Sequence, residues 1–165
     1  AGRGVKGGFG MPLADRLELK VPPPLVALLT GLSMWLVSPL APPVPMPGAL
    51  RIGLVVVLVV LGVGIAACGV ATFRRARTTI SPLSPGATST LVREGVYRYT
   101  RNPMYLGMQL CLIAWAAWLW SWLSLLLAPA FMLYMNRFQI GPEEHALAAL
   151  FGADYAAYRR DVRRW

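Results

Sequence analysis

Three long stretches of the chain contain no acidic, basic or histidine residue: residues 21–50, 52–73 and 102–136. The hydrocarbon core of a bilayer takes about 20 helical residues, so each stretch is typical of membrane-crossing helix. The last stretch would form a rod of about 52 Å, which is too long for one crossing. It therefore predicts a helical hairpin with its tip within residues 118–124, because the tryptophans there suit the headgroup level.

The pattern predicts four membrane-spanning helices, at about residues 25–40, 52–73, 104–117 and 123–138. Pro129 argues against the alternative, a single tilted helix through the last two segments. The second predicted helix contains small residues that would let a neighbouring helix come close: Gly62, Gly64, Ala66 and Ala67. The expected fold is an all-α polytopic integral membrane protein whose hairpin is followed by short cytoplasmic or interfacial helices.

Composition and charge agree with a membrane protein. Hydrophobic residues make up 56% of the chain and charged residues only 14%, against about a quarter in soluble domains. With a cytoplasmic N-terminus, four crossings leave only Arg51 of the basic residues outside, which is a strong positive-inside bias. Anionic lipid headgroups then account for the net charge of +9, and no nucleic-acid partner is implied. We expect a bacterial inner-membrane protein with both termini in the cytoplasm.

The remaining features define one domain without a metal site. Residues 21–165 form the predicted domain, and residues 1–20 are expected to be a leader that is partly disordered or of non-native origin. Cys68 and Cys111 fall within predicted spans, so no disulfide framework is implied. A single histidine, His145, and two intramembrane cysteines do not make a ligand cluster. The oligomeric state stays open.

Polar residues collect in two segments that the hairpin would return to the same face of the membrane. The first, GVYRYTRNPMYLG at residues 95–107, can start a helix, because Asn102 is a good N-cap and Pro103 suits the first helical position. The second follows the hairpin and predicts two short helices separated at Gly152. We therefore expect one pocket built from residues 92–107 and 137–165.

The combination and order of these pieces resemble a known family. GVYRYTRNPMYLG, a hydrophobic hairpin, Glu143-Glu144-x-x-Leu147-x-x-x-Phe151-Gly152-x-x-Tyr155-x-x-Tyr158 and a final Val162-Arg-Arg-Trp165 follow one another. This order is similar to the isoprenylcysteine carboxyl methyltransferases and the related phospholipid methyltransferases. The resemblance covers residues 92–165.

The resemblance implies S-adenosylmethionine as methyl donor, S-adenosylhomocysteine as product, and a lipophilic acceptor entering from the bilayer. It implies a cytoplasm-facing pocket with these cofactor-binding residues: Tyr97, Arg98, Asn102, Pro103, Tyr105, Leu106, Gly107, Glu143, Tyr155 and Tyr158. Asn102 departs from the family, which commonly has histidine there. An amide forms hydrogen bonds but cannot shuttle protons near neutral pH.

Methyl transfer is an in-line displacement that depends on geometry more than on acid or base. We assign Arg101 and Glu144 as catalytic: an arginine can orient an anionic group, and a carboxylate can hold an ammonium or ribose hydroxyls. The alternatives are structural. The arginines can bind lipid phosphate, Glu143 can stabilise a helix start, and the tyrosines can anchor at the interface.

The nature of the acceptor stays open among carboxylate, thiol and amine. A carboxylate is already anionic at neutral pH, whereas an amine or thiol must lose a proton first. The main rival is a non-catalytic scaffold or lipid-binding protein that keeps the motif, which the Asn102 departure would favour. A transporter or channel would place ionisable groups at mid-membrane, and the predicted spans contain no Asp, Glu, Lys, Arg or His at that depth.

Overall fold

The computed structural model describes residues 19–42, 45–76 and 90–165. The leader predicted for residues 1–20 lies almost wholly outside them. The described chain is helical, as expected, and contains no strand beyond one isolated bridge between Thr100 and Arg163. Its elements are α1 (Pro23–Val37) with a 3-10 turn (Ser38–Leu40), α2 (Gly48–Arg75), a second 3-10 turn (Gly95–Arg98), α3 (Pro103–Leu119), α4 (Trp122–Tyr134), a π-helical turn (Met135–Ile140) and α5 (Gly141–Asp161).

Helices occupy all four segments that the hydrophobic pattern predicts, but they differ in length. Two are long and apolar enough to cross a membrane, Pro23–Leu40 with 18 residues and α2 with 28 residues. The other two, α3 and α4, have 17 and 13 residues. The backbone does not break after α4, because a π-helical turn carries it directly into α5. By length and composition, two of the four helices in the described residues are candidate membrane spans.

The predicted hairpin between α3 and α4 is present. Trp120 ends α3 in the left-handed conformation, at a φ of 55°, and its backbone N–H still bonds to the Ala116 carbonyl. Ser121 then caps α4, because its hydroxyl accepts a hydrogen bond from the Ser124 N–H. The tip consequently falls within the predicted segment and returns the chain toward the motif.

The closest helix crossing joins α2 to α3 through glycines. A Cβ atom at Gly62 would lie only 2.8 Å from the Gly107 carbonyl oxygen, so the two backbones are in direct contact. Ala66 lies on the same side of α2, against Gly107. Gly64, which the sequence grouped with these residues, faces open space, because a Cβ there would meet nothing within 4 Å. The small residues therefore predicted the close contact correctly, but the face of α2 that makes it contains Gly62 and not Gly64.

Helix α1 is held by hydrogen bonds to the hairpin. The buried Ser124 hydroxyl donates to the Met34 carbonyl at 2.7 Å, and the Trp115 indole N–H donates to the Gly31 carbonyl at 3.0 Å. Met34, Phe131 and Met135 pack into the core beside these bonds. Bonds of this kind are typical between apolar helices, since few other groups there can satisfy a hydroxyl or an indole N–H.

After the hairpin, α5 contains the predicted division into two helices as a kink. Gly152 has a φ of 48° and a ψ of −119° inside the helix. Positive φ is strained for residues with a Cβ, so glycine is suited to this position. Beyond the kink, the Asp154 carboxylate lies 3.7 Å from Arg93 Nη2. The kink directs the tyrosines of the second half back toward the motif.

Candidate active site

The tail after α5 lies directly beside the motif that precedes α3. Thr100 and Arg163 form a parallel bridge, and the Arg101 backbone N–H donates to the Arg163 carbonyl at 2.9 Å. The Thr100 hydroxyl donates to the Arg164 carbonyl at 3.1 Å. Residues 64 positions apart in sequence thus come into contact, and the two polar segments meet as the sequence predicted.

The meeting point is a cluster of two arginines and one glutamate, in which Arg101 and Glu144 are buried and Arg164 is partly exposed. Arg101 Nη2 lies 3.1 Å from Glu144 Oε1, and each of these side chains is only 9% exposed. Arg164 binds the same carboxylate with two parallel bonds, Nε to Oε1 at 3.1 Å and Nη2 to Oε2 at 2.6 Å. Two guanidinium groups thus share one carboxylate, so the cluster keeps a surplus positive charge.

The neighbouring carboxylate, Glu143, has a different environment. Its Oε1 accepts a hydrogen bond from the Tyr105 hydroxyl at 2.6 Å and one from the Gln139 amide at 3.3 Å. Burial raises the pKa of Glu143 to about 7, and the negative charge of Glu144 adds to this rise, while the hydrogen bonds from Tyr105 and Gln139 oppose it. Glu143 is therefore poised between its two protonation states near neutral pH.

Three further tyrosines surround these carboxylates. The Tyr158 hydroxyl donates to the Tyr97 carbonyl at 2.8 Å, and the rings of Tyr155 and Tyr158 lie 6.3 Å apart. Burial raises the pKa of both Tyr155 and Tyr158 to about 12, so both hydroxyls stay protonated. The Tyr97 side chain is 4% exposed, and its hydroxyl has no hydrogen-bond partner among the described residues.

Asn102 has a role other than the expected one. It occupies the N-cap position of α3, but its side chain makes no capping bond. Its amide N–H donates instead to the Arg164 carbonyl at 3.0 Å, which helps to hold the tail against the motif. Pro103 begins α3 as predicted and is buried, packing toward Gly69 of α2. An amide suffices for the contact that Asn102 makes.

The remaining predicted residues fall outside the polar cluster. Arg98 is exposed, and Leu106 is half-buried in the first turn of α3. Gly107 lies at the crossing with α2, where it permits close packing. Sequence reasoning missed the polar partners Gln139 and Asn136, which lie in the π-helical turn. The available signal for both was their position, since each is a polar residue at the end of the long uncharged run.

An apolar groove of about 990 Å³ begins at Gly107, the last residue of the motif. Helices α1 and α2 form its walls and α3 its floor. Six of its lining residues show its character: Ala27 and Gly31 from α1, Ala66 and Ala67 from α2, and Met108 and Leu112 from α3. Its length along α3, from Gly107 to Trp115, is about 12 Å, roughly one leaflet of the hydrocarbon core.

Comparison with known proteins places this geometry in a family. The model of the phospholipid methyltransferase family matches residues 50–154, so the chain belongs to that family. An uncharacterized protein of Haemophilus influenzae is 45% identical over 62 residues, which is 38% of this chain and 98% of that protein. No solved structure matches the chain. The family implies methyl transfer at a membrane, in agreement with the resemblance found in the motif.

Proposed function

We propose that this protein transfers a methyl group from S-adenosylmethionine to a lipophilic acceptor at the cytoplasmic face of a membrane, the bacterial inner membrane. The observation that carries the proposal is the shared contact of Arg101 and Arg164 with Glu144, which joins the motif to the tail. Such a buried cluster, next to a second carboxylate of raised pKa, is more typical of a functional site than of a surface.

The residues present fit this cofactor. Arg101 Nε and the Tyr97 hydroxyl are buried without a hydrogen-bond partner among the described residues, and such groups indicate a missing polar ligand. Arg101 would hold the carboxylate of the donor, Glu143 or Glu144 its ammonium or ribose, and Tyr155 would face its sulfonium or adenine. When bound, the donor supplies an activated methyl group. Glu144 keeps Arg101 in place through their 3.1 Å contact.

The groove supports a lipophilic acceptor. Its small side chains, Ala27, Ala66 and Ala67, leave room for a hydrocarbon chain, and its floor begins at Gly107, the last residue of the motif. A lipid lying in the cytoplasmic leaflet would place its chain between α1 and α2. Its head group would then stand beside Glu143 and Arg101, where the activated methyl group is held.

The proposed topology has four crossings with both termini in the cytoplasm. The Arg51 guanidinium lies 5.2 Å from the centre of the Trp118 ring, so the start of α2 and the hairpin tip share one end of the molecule. The Arg101 cluster lies at the opposite end. Since α3 connects these two ends, the short helices α3 and α4 are proposed to cross the membrane with α1 and α2.

Transfer of label from a radiolabelled donor tests the proposal. Purified protein in vesicles of bacterial lipid extract is expected to move the labelled methyl group into the lipid fraction. Arg101→Ala should reduce this transfer about tenfold or more, since it removes an oriented charge. Arg160→Ala, which removes an exposed arginine from the last turn of α5, is the control and should retain the rate. A folded wild-type protein that transfers no label would instead support the scaffold alternative.

A further inference from the structure

The end of the molecule opposite the Arg101 cluster contains one basic residue of the described chain, Arg51. Its guanidinium carbon lies 5.2 Å from the centre of the Trp118 ring, and its Nε atom is buried without a hydrogen-bond partner among the described residues. Every acidic residue in the described ranges lies beside the motif or in α5, at the other end. The described chain therefore provides no counter-charge for Arg51.

The uncharged part of α2 fixes the depth of Arg51 in the membrane. Residues 52–73 separate Arg51 from Arg74, and they extend about 33 Å as a helix. A hydrocarbon core is about 30 Å thick, so the two arginines reach the headgroup levels of opposite leaflets. Trp118 and Trp122 at the hairpin tip suit the same level as Arg51, because tryptophan prefers the membrane interface.

We propose that Arg51 and Trp118 bind the phosphodiester group of a glycerophospholipid, in the leaflet opposite the candidate active site. The inference rests on the proposed four-crossing topology and is independent of the methyl transfer. A guanidinium can donate two parallel hydrogen bonds to a phosphate, and it is less strongly hydrated than an ammonium. The phosphodiester is an anion at this depth of a bilayer, so it can supply the counter-charge that the described chain lacks.

The contact with Trp118 prepares Arg51 for this ligand. The face of an indole ring attracts a guanidinium within about 6 Å, so the ring restricts the positions that the Arg51 side chain can take. A side chain that is already restricted loses less conformational entropy when it binds. The buried Nε supports the same conclusion, because a buried polar group without a partner indicates a ligand that the protein does not supply.

The surroundings of Arg51 favour a lipid over a free anion. Large apolar side chains at this end remain exposed: Leu40 is 76% exposed, Leu50 60% and Trp122 49%. Contact with acyl chains stabilises apolar surface of this kind, because it removes the surface from water. A phospholipid can place its phosphate beside the guanidinium while its chains cover the leucines. An inorganic phosphate ion would leave the apolar surface uncovered.

A lipid at this site would join α2 to the hairpin at their far end. Arg51 belongs to α2 and Trp118 to α3, and the same two helices touch at Gly62 and Gly107. The headgroup contact thus adds a polar point of attachment to a pair of helices that otherwise meet there through a single cation–π contact.

Photo-crosslinking with two lipid probes tests the site. Both probes carry the same diazirine group near the start of one acyl chain, but one is a phosphatidylglycerol and the other a diacylglycerol without phosphate. In vesicles, the phosphatidylglycerol probe should label residues 48–54 and 115–122 at least about fivefold more than the diacylglycerol probe. Equal labelling by the two probes would overturn the proposal. Millimolar inorganic phosphate should not displace the label; displacement would show that the site takes the free anion and would overturn the assignment to a lipid.

The role of the arginine is tested by removing its charge. Arg51→Gln should reduce labelling by the phosphatidylglycerol probe to the level of the diacylglycerol probe. Arg74→Gln, which removes an exposed arginine at the other end of the uncharged run, is the matched control and should keep the wild-type label. Digestion with chymotrypsin keeps the peptides comparable, because this enzyme does not cut at arginine. Label that persists in Arg51→Gln would overturn the proposal.

A second pair of variants tests the aromatic partner. Trp118→Leu should lower the label about threefold or more, since the guanidinium is no longer held over a ring. Trp122→Leu removes a similarly exposed tryptophan that has no cation–π contact in the described chain, and it should keep the wild-type label. Equal effects of the two changes would contradict the pairing of Arg51 with Trp118.

Two controls separate this proposal from the topology and from the proposed function. A Cβ at Gly48 would meet nothing within 4 Å, so Gly48→Cys should fold. A membrane-impermeant maleimide should modify this variant, but not the wild type, in intact spheroplasts; modification only after lysis would contradict the topology and the leaflet assigned to the lipid. Arg51→Gln should bind S-adenosylmethionine as the wild type does. Failure of the wild type to bind this donor would remove the proposed function and leave the lipid labelling unaffected.

Discussion

The two N-terminal helices and the junction of motif and tail are stabilised by different surroundings. Helices α1 and α2 bury little inside the molecule: only 11% of the most apolar 18-residue stretch of α2 is buried, and Val56 and Val60 are more than half exposed. The junction of motif and tail, in contrast, buries polar groups such as Thr100, Gln139 and Glu144. The first region needs lipid to cover its surface, whereas the second needs its internal partners, because nothing else satisfies a buried charge.

The largest effect is expected from the charge at the centre of the junction. Glu144→Ala leaves Arg101 and Arg164 without their shared carboxylate in a site where Arg101 is 9% exposed. Removing one partner of a buried pair costs about 3–5 kcal/mol, because an uncompensated charge stays behind. Thermal or denaturant unfolding in detergent should show this loss together with loss of donor binding.

The exposed pair Arg93 and Asp154 is the matched control, with side chains that are 41% and 81% exposed. Asp154→Ala should change the free energy of unfolding by less than about 1 kcal/mol, since water screens the lost charge. If Glu144→Ala proves as mild as Asp154→Ala, the contrast between junction and surface does not hold.

A smaller effect is expected where the apolar helices touch. Gly62→Ala places a Cβ about 2.8 Å from the Gly107 carbonyl oxygen, so α2 and α3 must separate. Overpacking of this kind costs about 1–3 kcal/mol. The same change at Gly64 meets nothing within 4 Å and should be neutral or slightly stabilising, since alanine favours helix. Equal unfolding temperatures for the two variants would contradict the close crossing.

The apolar region should also affect activity without affecting the junction. Ala67→Trp fills the groove and is expected to lower methyl transfer to lipid about tenfold, which corresponds to about 1.4 kcal/mol. Donor binding measured by calorimetry should not change. Val60→Trp, on the exposed surface of the same helix, is the control and should keep the wild-type rate. Loss of donor binding in Ala67→Trp would show that the groove and the junction act as one site, which would contradict their separation.

The smallest effect concerns the pH dependence of stability. Because the pKa of Glu143 is raised from 4.5 to about 7 in the folded protein, the native state holds a proton that the unfolded state has released. Stability should therefore fall as pH rises through this window. Glu143→Gln should remove this fall, and unfolding curves at several pH values measure it. A slope that persists in the variant must come from other groups.

Part of this arrangement was readable from the sequence. The uncharged runs and Trp118 located the helices and the hairpin tip, because helix length and interfacial tryptophans follow directly from the bilayer. The meeting of Arg101 with Glu144 followed from the hairpin returning the chain to one face. A π-helical turn places Gln139 beside Glu143. It could not be predicted, because a π-helix adds one residue to a helical turn and forms only where tertiary packing favours it. The turn of Asn102 toward the Arg164 carbonyl depends on the position of the tail in the same way.

Photo-crosslinking of radiolabelled S-adenosylmethionine to the purified protein tests the central claim most directly. If the two remote segments enclose the donor, ultraviolet irradiation followed by peptide mapping should label peptides from residues 95–107 and from residues 141–165. Unlabelled donor should compete for both, and Arg101→Ala should abolish both. Label that does not saturate, or that falls in only one of the two segments, would contradict a pocket shared between motif and tail.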